Sequence, residues 1–463
     1  MISSPPDYLG LLTDLYQLTM AAAYFECGKS QEVASFELSI RTLPASRSFL
    51  LAAGLEQAVQ YLEELSYGKA EIDFLRAHPA FDNVDPAFFD FLADLHFSGS
   101  LWAVPEGTPV FAEEPLLRVT APIVEAQIAE TYLLSMITYQ TTVATKSARM
   151  VRAARGRGVV EFGTRRAHGP NAGLLAARAS YIGGCLGTSN VLAGFALGIP
   201  IYGTSAHSWI MAFEEEEEAL RKFAQIFGPK AVLLIDTYDP VEGVRKAIGL
   251  GLPFRGVRLD SGNFFESSRE VRKILNAGGH ADAVIMASGD LNEFLIDKLA
   301  EANAPIELFG VGTDLVTSRD APALSGVYKM VEIENGGELR YTAKFSESKV
   351  SYPGKKQIYR VSGPQGECTH DILALTSEEF TNGEPLLEQL MENGKRKTPQ
   401  PLLKDIRDHA ASNLSRLPES VQRLTDPDSF PVEKSPGLRN LIETLRARYV
   451  PLAAGTTGPQ KFS

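Results

Sequence analysis

The sequence predicts an α/β fold on a parallel sheet, closed as an irregular, incomplete barrel. Three observations carry this. Six short apolar runs, "GVVEFGTR" (158–165), "GIPIYGTS" (198–205), "AVLLIDTYD" (231–239), "RGVRLDSG" (255–262), "DAVIMASGD" (282–290) and "IELFGVGTD" (306–314), each lead into Gly, Ser, Thr or Asp. Helical stretches such as "DPVEGVRKAIGLG" and "SSREVRKILNAGG" lie between them, as βα units require. No GxGxxG fingerprint opens the first unit, which favours a barrel over an open dinucleotide-binding sheet.

Before these units, "SFELSIRTLPASRSFLLAAGL" begins with strand-like alternation, and "LEQAVQYLEELSYG" has the apolar spacing of an amphipathic helix ended by Gly68. "SLWAVPEGTPVFAEEPLLRVTAP" reads as short strands between Pro- and Glu-rich turns. From residue 123 a long helical pattern leads to the first βα unit. After residue 333 come further strands, a Pro-punctuated stretch and a closing helix "GLRNLIETLRARYV", with "PLAAGTTGPQKFS" as a loose end. The expected units are an N-terminal α/β domain (1–130), the barrel (131–335) and a C-terminal segment (336–463) that returns to the first.

Composition excludes several classes. The chain has 463 residues, 44% hydrophobic and 22% charged, enough for more than one core. Its net charge of -12 argues against non-specific nucleic-acid binding, which needs cations to displace phosphate counterions. Cys27, Cys185 and Cys368 are odd in number and far apart, so neither a disulfide framework nor a zinc site is expected, and a reducing cytoplasm fits. Cys368-Thr369-His370 reads as a surface turn. The N-terminus lacks the pattern of a signal peptide. Ala179–Phe213 carries no Asp, Glu, Lys or Arg, yet its glycines, Pro200, Asn190 and His207 argue against a membrane span. Glu214–Glu218 reads as the solvated start of a helix.

The chemistry gathers at strand ends. "SGD" (288–290) and "GVGT" (310–313) offer small residues and backbone N–H groups before helices, a way to hold phosphate or merely tight turns. Arg258 and Asp260 lie two apart on one strand, either an anion-and-sugar pair or a structural ion pair. Asp236 and Asp239 in "DTYD" suit magnesium or a cationic transition state, or helix capping. Phe162, Arg165 and Arg166 in "EFGTRRAHGP" suit a flat anionic ligand, by stacking and by pairing with a carboxylate. His207 in "GTSAHSW" is the one side chain of the uncharged segment that titrates near neutrality.

Taken in order, "TDLYQLTM" (13–20), "EFGTRRAHGP", "GTSNVLAG" (187–194), "GTSAHS", "DTYD", "RLDSGN" and "FGVGTDLVTS" resemble the nicotinate phosphoribosyltransferase family. That resemblance implies a type II phosphoribosyltransferase barrel and a homodimer with active sites at the subunit interface. The implied reaction joins nicotinate to 5-phosphoribosyl 1-diphosphate, with ATP as co-substrate and Mg2+, in NAD salvage. The family's phosphorylated histidine falls on His207, with Asp236, Arg258 and Asp260 as the other catalytic positions. Tyr16 is expected from the partner subunit, stacking on the pyridine opposite Phe162, with Arg165 at the ring carboxylate. Ser189, Thr204, Ser261, Gly262 and Ser288 join the cleft, while Gly289, Asp290, Gly310, Gly312 and Thr313 hold the phosphate end. Arg41 and Lys356 are implied cross-subunit diphosphate contacts, Lys356 in competition with Lys344, Lys349 and Lys355. No metal ligand follows from the sequence. Three rivals stand beside this reading. A nicotinamide-specific relative has Asp at the position of Ser189, a quinolinate-specific one needs more basic residues, and a non-catalytic sugar-phosphate binder has no reason to keep His207 or the Arg-rich strand end.

Overall fold

The computed structural model describes residues 8–346 and 349–449; the expected loose end at 451–463 lies outside them. Two sheets organise the chain. A seven-stranded antiparallel sheet runs Glu338–Tyr341, Gly326–Asn335, Val33–Ile40, Pro115–Pro122, Ser100–Ala103, Glu388–Glu392, Lys395–Arg396. A six-stranded parallel sheet runs Gly187–Thr188, Gly158–Glu161, Leu308–Val311, Val284–Ser288, Gly256–Leu259, Val232–Leu234. Each has its own apolar core, as a sheet with one buried face requires.

The long helical pattern forms two helices, Ile123–Ile128 and Glu130–Ala153, separated by Ala129. The second joins the two cores, with Leu133 and Ile137 in the first and Val143, Ala144 and Met150 in the second. It also contributes Lys146 and Arg149, both buried, to the space behind the parallel sheet.

The fold is mixed α/β around a parallel sheet, and among the described residues the sheet does not close by backbone pairing. Val232–Leu234 forms one edge. At the other, the expected strand "GIPIYGTS" is reduced to a single bridge between Thr188 and Ile201, since Pro200 has no N–H to donate and accepts from Thr188 instead (3.0 Å). Side chains cross the seam: His207 Nδ1 and Thr237 Oγ1 are 3.1 Å apart, and Arg258 donates to Thr204 Oγ1 at 2.7 Å.

Three local expectations are corrected. Gly68 does not end a helix: Leu55–Glu64 stops earlier, and Gly68 is the N-cap of Lys69–Arg76. Cys368 is no surface turn but begins the strand Cys368–Leu375, buried against Phe49, Phe111 and Phe430. Within the acidic run the other four glutamates are exposed as expected, but Glu216 is buried and paired with Lys246 at 2.8 Å; Glu215 stands at the N-cap position of the helix Glu216–Phe227 without a side-chain cap bond. The three cysteines are free, and no helix among the described residues is long and apolar enough to cross a membrane.

Candidate active site

The C-terminal ends of the parallel strands open into a cleft of about 830 Å³. One end is aromatic and cationic. Phe162 follows the strand Gly158–Glu161, and its ring lies over Gly310, where a Cβ would come within 2.7 Å of the ring. Only glycine fits there. Arg165, on the short turn of helix Thr164–Arg166, is exposed and makes no hydrogen bond or ion pair to another described residue. Ser189 faces the same cleft, held by its N–H to Glu161 O at 2.8 Å.

The centre is a fixed polar network. Arg258 donates from Nε to Ser288 Oγ (2.7 Å), from Nη1 to Thr204 Oγ1 (2.7 Å) and Ser205 O (3.1 Å), and from Nη2 to Asp260. Asp236, at the end of the neighbouring strand, accepts from the Asp260 N–H (2.7 Å) and Ser261 Oγ (2.9 Å). Its Oδ1 is buried without a partner among the described residues. His207 lies between Thr237 at Nδ1 and Asp260 at Nε2, the latter 3.4 Å away. Burial pushes the Asp260 carboxyl up, but the Ser288 hydroxyl and the Arg258 guanidinium outweigh it and hold the group below its usual value. Arg258 and Asp260 therefore do form an ion pair, one that also touches the cleft.

Two backbone turns end the strands between those that carry Phe162 and Asp260. Gly289 has φ +95°, and a Cβ would meet Asp260 O at 2.2 Å, so only glycine lets the turn pass this close to the neighbouring strand end. Ser288, Asp290, Gly262 and Ser261 line this part of the cleft, whereas Gly310 lies under the Phe162 ring and Gly312 packs against the Phe162 backbone, where a Cβ would come 3.4 Å from Phe162 O, so "GVGT" stands beside the aromatic end. A helix starts directly at "GVGT", as expected, though it is only the short Thr313–Val316, whereas "SGD" is followed by Leu291 and the cap Asn292 before Glu293–Glu301.

The expected residues separate into groups. Phe162, Arg165, Ser189, Thr204, Arg258, Asp260 and the residues of the glycine turns share the cleft, and Asp236 and His207 support it from behind the same strand ends. Tyr16 does not line the cleft of its own chain; it stands on helix Leu15–Glu26, 49% exposed. Arg41 and Lys356 line a second, smaller cavity with Glu37, Lys329, Lys344 and Tyr352. The Lys356 ammonium is buried, with Glu37 Oε2 at 2.8 Å, Tyr352 O at 2.8 Å and Gly354 O at 2.7 Å, so all three of its N–H groups are taken. Sequence reasoning missed Asn292, Asp314 and Arg319 in the cleft. The only signal for Asp314 and Arg319 was their nearness to "GVGT".

Models of the nicotinate phosphoribosyltransferase family match residues 11–138 (N-terminal domain), 158–384 (the family itself) and 379–442 (C-terminal domain). A nicotinate phosphoribosyltransferase of Mycobacterium tuberculosis is 42% identical over 444 residues, 94% of each chain. That of Bacillus subtilis is 38% identical, covering 93% of each. The crystal structure of human nicotinic acid phosphoribosyltransferase superposes with a TM-score of 0.83 at 30% identity, over 94% of this chain and 100% of that one. The nicotinate-nucleotide pyrophosphorylase of Pyrococcus furiosus gives 0.72 at 25% identity, over 89% and 97%. With the motifs drawn into one cleft and the likeness running along nearly the whole chain, this protein belongs to the nicotinate phosphoribosyltransferase family.

Proposed function

We propose that the cleft joins nicotinate to 5-phosphoribosyl 1-diphosphate, giving nicotinate mononucleotide and diphosphate, and that ATP drives the reaction through a phosphohistidine at His207. The observation that carries the transfer is the make-up of one cleft: Arg165, without a partner among the described residues, stands beside Phe162, the glycine turns end the next two strands, and the Arg258–Asp260 network lies beyond them. Arg165 suits the pyridine carboxylate, and Phe162 its face. In the transfer, the pyridine nitrogen forms the bond to ribose C1 as the C1–oxygen bond breaks and its electron pair leaves with diphosphate. The nitrogen lone pair is already nucleophilic, so the site needs positioning groups and no base. Asp260, kept ionised, stands where positive charge develops on the sugar.

Magnesium fits this donor set as a partner of the substrate. Among the described residues no three His, Cys, Asp or Glu side chains gather as a metal cage, but Asp260 and Asp290 line the cleft, and magnesium commonly takes one or two carboxylates plus phosphate oxygens. It would neutralise charge on the departing diphosphate.

For the ATP step, Asp260 beside Nε2 favours the tautomer protonated there, which leaves the Nδ1 lone pair, facing the Thr237 hydroxyl, to take the γ-phosphoryl group as ADP departs. Incubation with labelled ATP should give an acid-labile, base-stable adduct, absent from His207→Ala. That variant should keep slow, ATP-independent transfer. A variant that still hydrolyses ATP in step with product formation contradicts the assignment.

A shared active site is part of the same proposal. Tyr16 is exposed and absent from its own cleft, and Val191, Leu192, Phe195, Ile201, Tyr202 and Met211 leave an exposed apolar surface on the elements flanking Gly203–Ala206 at the cleft. Such a surface fits a second copy of the chain, from which Tyr16 would reach the pyridine. Arg41 would reach the diphosphate by the same route. Lys356 would have to give up one of its present contacts to help, whereas Lys344 lines the same cavity on an exposed segment.

A further inference from the structure

Behind the two glycine turns lies a cluster of charge that the chemistry above does not use. Lys146, on helix Glu130–Ala153, is 1% exposed, and its ammonium meets three carboxylates: Glu293 at 2.6 Å, Asp314 at 2.8 Å and Asp320 at 2.8 Å. Each comes from a different segment next to those turns. Glu293 opens the helix behind Ser288–Asp290, Asp314 sits in the short helix directly after Gly312, and Asp320 follows Arg319, which lines the cleft. Arg149 holds the other Glu293 oxygen at 3.1 Å, and Arg47 holds Asp320 at 3.1 Å and Ser318 at 2.7 Å. Three cations thus face three anions. One of those anions, Asp314, lines the cleft itself.

We propose that Lys146 is a positioning residue for phosphoribosyl diphosphate: it locks the two phosphate turns at a fixed separation and neutralises the Asp314 carboxylate that would otherwise repel an anionic ligand. This rests on the transferase reading of the cleft. The two turns end neighbouring strands whose ladder runs as far as Ser288 and Gly310; beyond it they are separate loops, and Lys146 links the segments behind them. Without it, three carboxylates face two guanidinium groups, and the surplus negative charge lies at the anion site. Burial opposes the charged form of Lys146, but Glu293 and the hydrogen bonds to Asp314 and Asp320 outweigh it and raise its pKa, so the clamp stays charged in the working range.

Lys146→Met keeps the stem and removes the charge. The expected result is a rise of about tenfold or more in KM for phosphoribosyl diphosphate with little change in KM for nicotinate, and equally weakened binding of inorganic diphosphate by calorimetry. Adding Asp314→Asn should restore part of that binding by removing the unpaired charge. Lower thermal stability with unchanged KM and unchanged diphosphate binding overturns the proposal. Should Lys146→Met fail to fold, Glu293→Gln breaks the arm that reaches the Ser288–Asp290 side, and unaltered diphosphate binding there overturns it equally. The unsubstituted protein separates the two claims: if it binds diphosphate but forms no nicotinate mononucleotide, the transferase reading fails while the clamp is still decided by binding.

Discussion

Arg258 and Arg165 carry the same charge in different surroundings. Arg258 commits N–H groups to Ser288, Thr204, Ser205 and Asp260, so it ties two strand ends to the Gly203–Ala206 segment, whereas the Arg165 side chain lines the cleft with no hydrogen bond or ion pair to another described residue. Selectivity at the pyridine therefore depends on what stands near Arg165. Ser189 is small and neutral. Ser189→Asp would oppose a carboxylate ligand, and kcat/KM for nicotinate should fall more than tenfold, about 1.4 kcal/mol or more, in steady-state kinetics. Unchanged nicotinate kinetics would remove Ser189 from the pocket. These residues were legible in the sequence because βα units put every strand's C-terminal end on one side, so any polar residue there was a candidate. Lys146 was not legible: it sits mid-helix, and its meaning comes from a contact with Glu293, far along the chain.

At the scale of elements, the "DTYD" strand end divides into two roles. Asp239 caps the helix Pro240–Gly249, accepting from Val241 N at 2.9 Å and Glu242 N at 2.8 Å. Asp236 instead holds the Asp260 backbone and Ser261. Asp239→Ala should cost about 1 kcal/mol in denaturant unfolding and leave turnover unchanged. Asp236→Ala should lower kcat/KM by about a hundredfold, because it releases the groups that fix Asp260. Equal loss of activity in both variants would contradict this division. Five of the six expected parallel strands form; "GIPIYGTS" does not, because Pro200 removes a ladder donor, and the edge is taken by the two-residue strand Gly187–Thr188, too short for periodicity to reveal. The resulting seam is bridged by side chains, and His207 is one of them.

For the whole molecule, two cores joined by helix Glu130–Ala153 put the Tyr16 helix and the cleft in one chain, with Tyr16 on the outside. If the working unit is a dimer, Tyr16→Ala and Arg258→Ala proteins, each nearly inactive, should recover part of the activity once mixed and allowed to exchange subunits, since each mixed dimer has one intact composite site. No recovery under demonstrated exchange would show that each site is built from one chain. The central claim, however, is the reaction, and a product assay tests it most directly. With phosphoribosyl diphosphate and magnesium present, nicotinate, nicotinamide and quinolinate are offered in parallel, with and without ATP. The account predicts nicotinate mononucleotide as the dominant product and faster formation with ATP. Preference for either other pyridine, or binding of phosphoribosyl diphosphate without turnover of any, would contradict it.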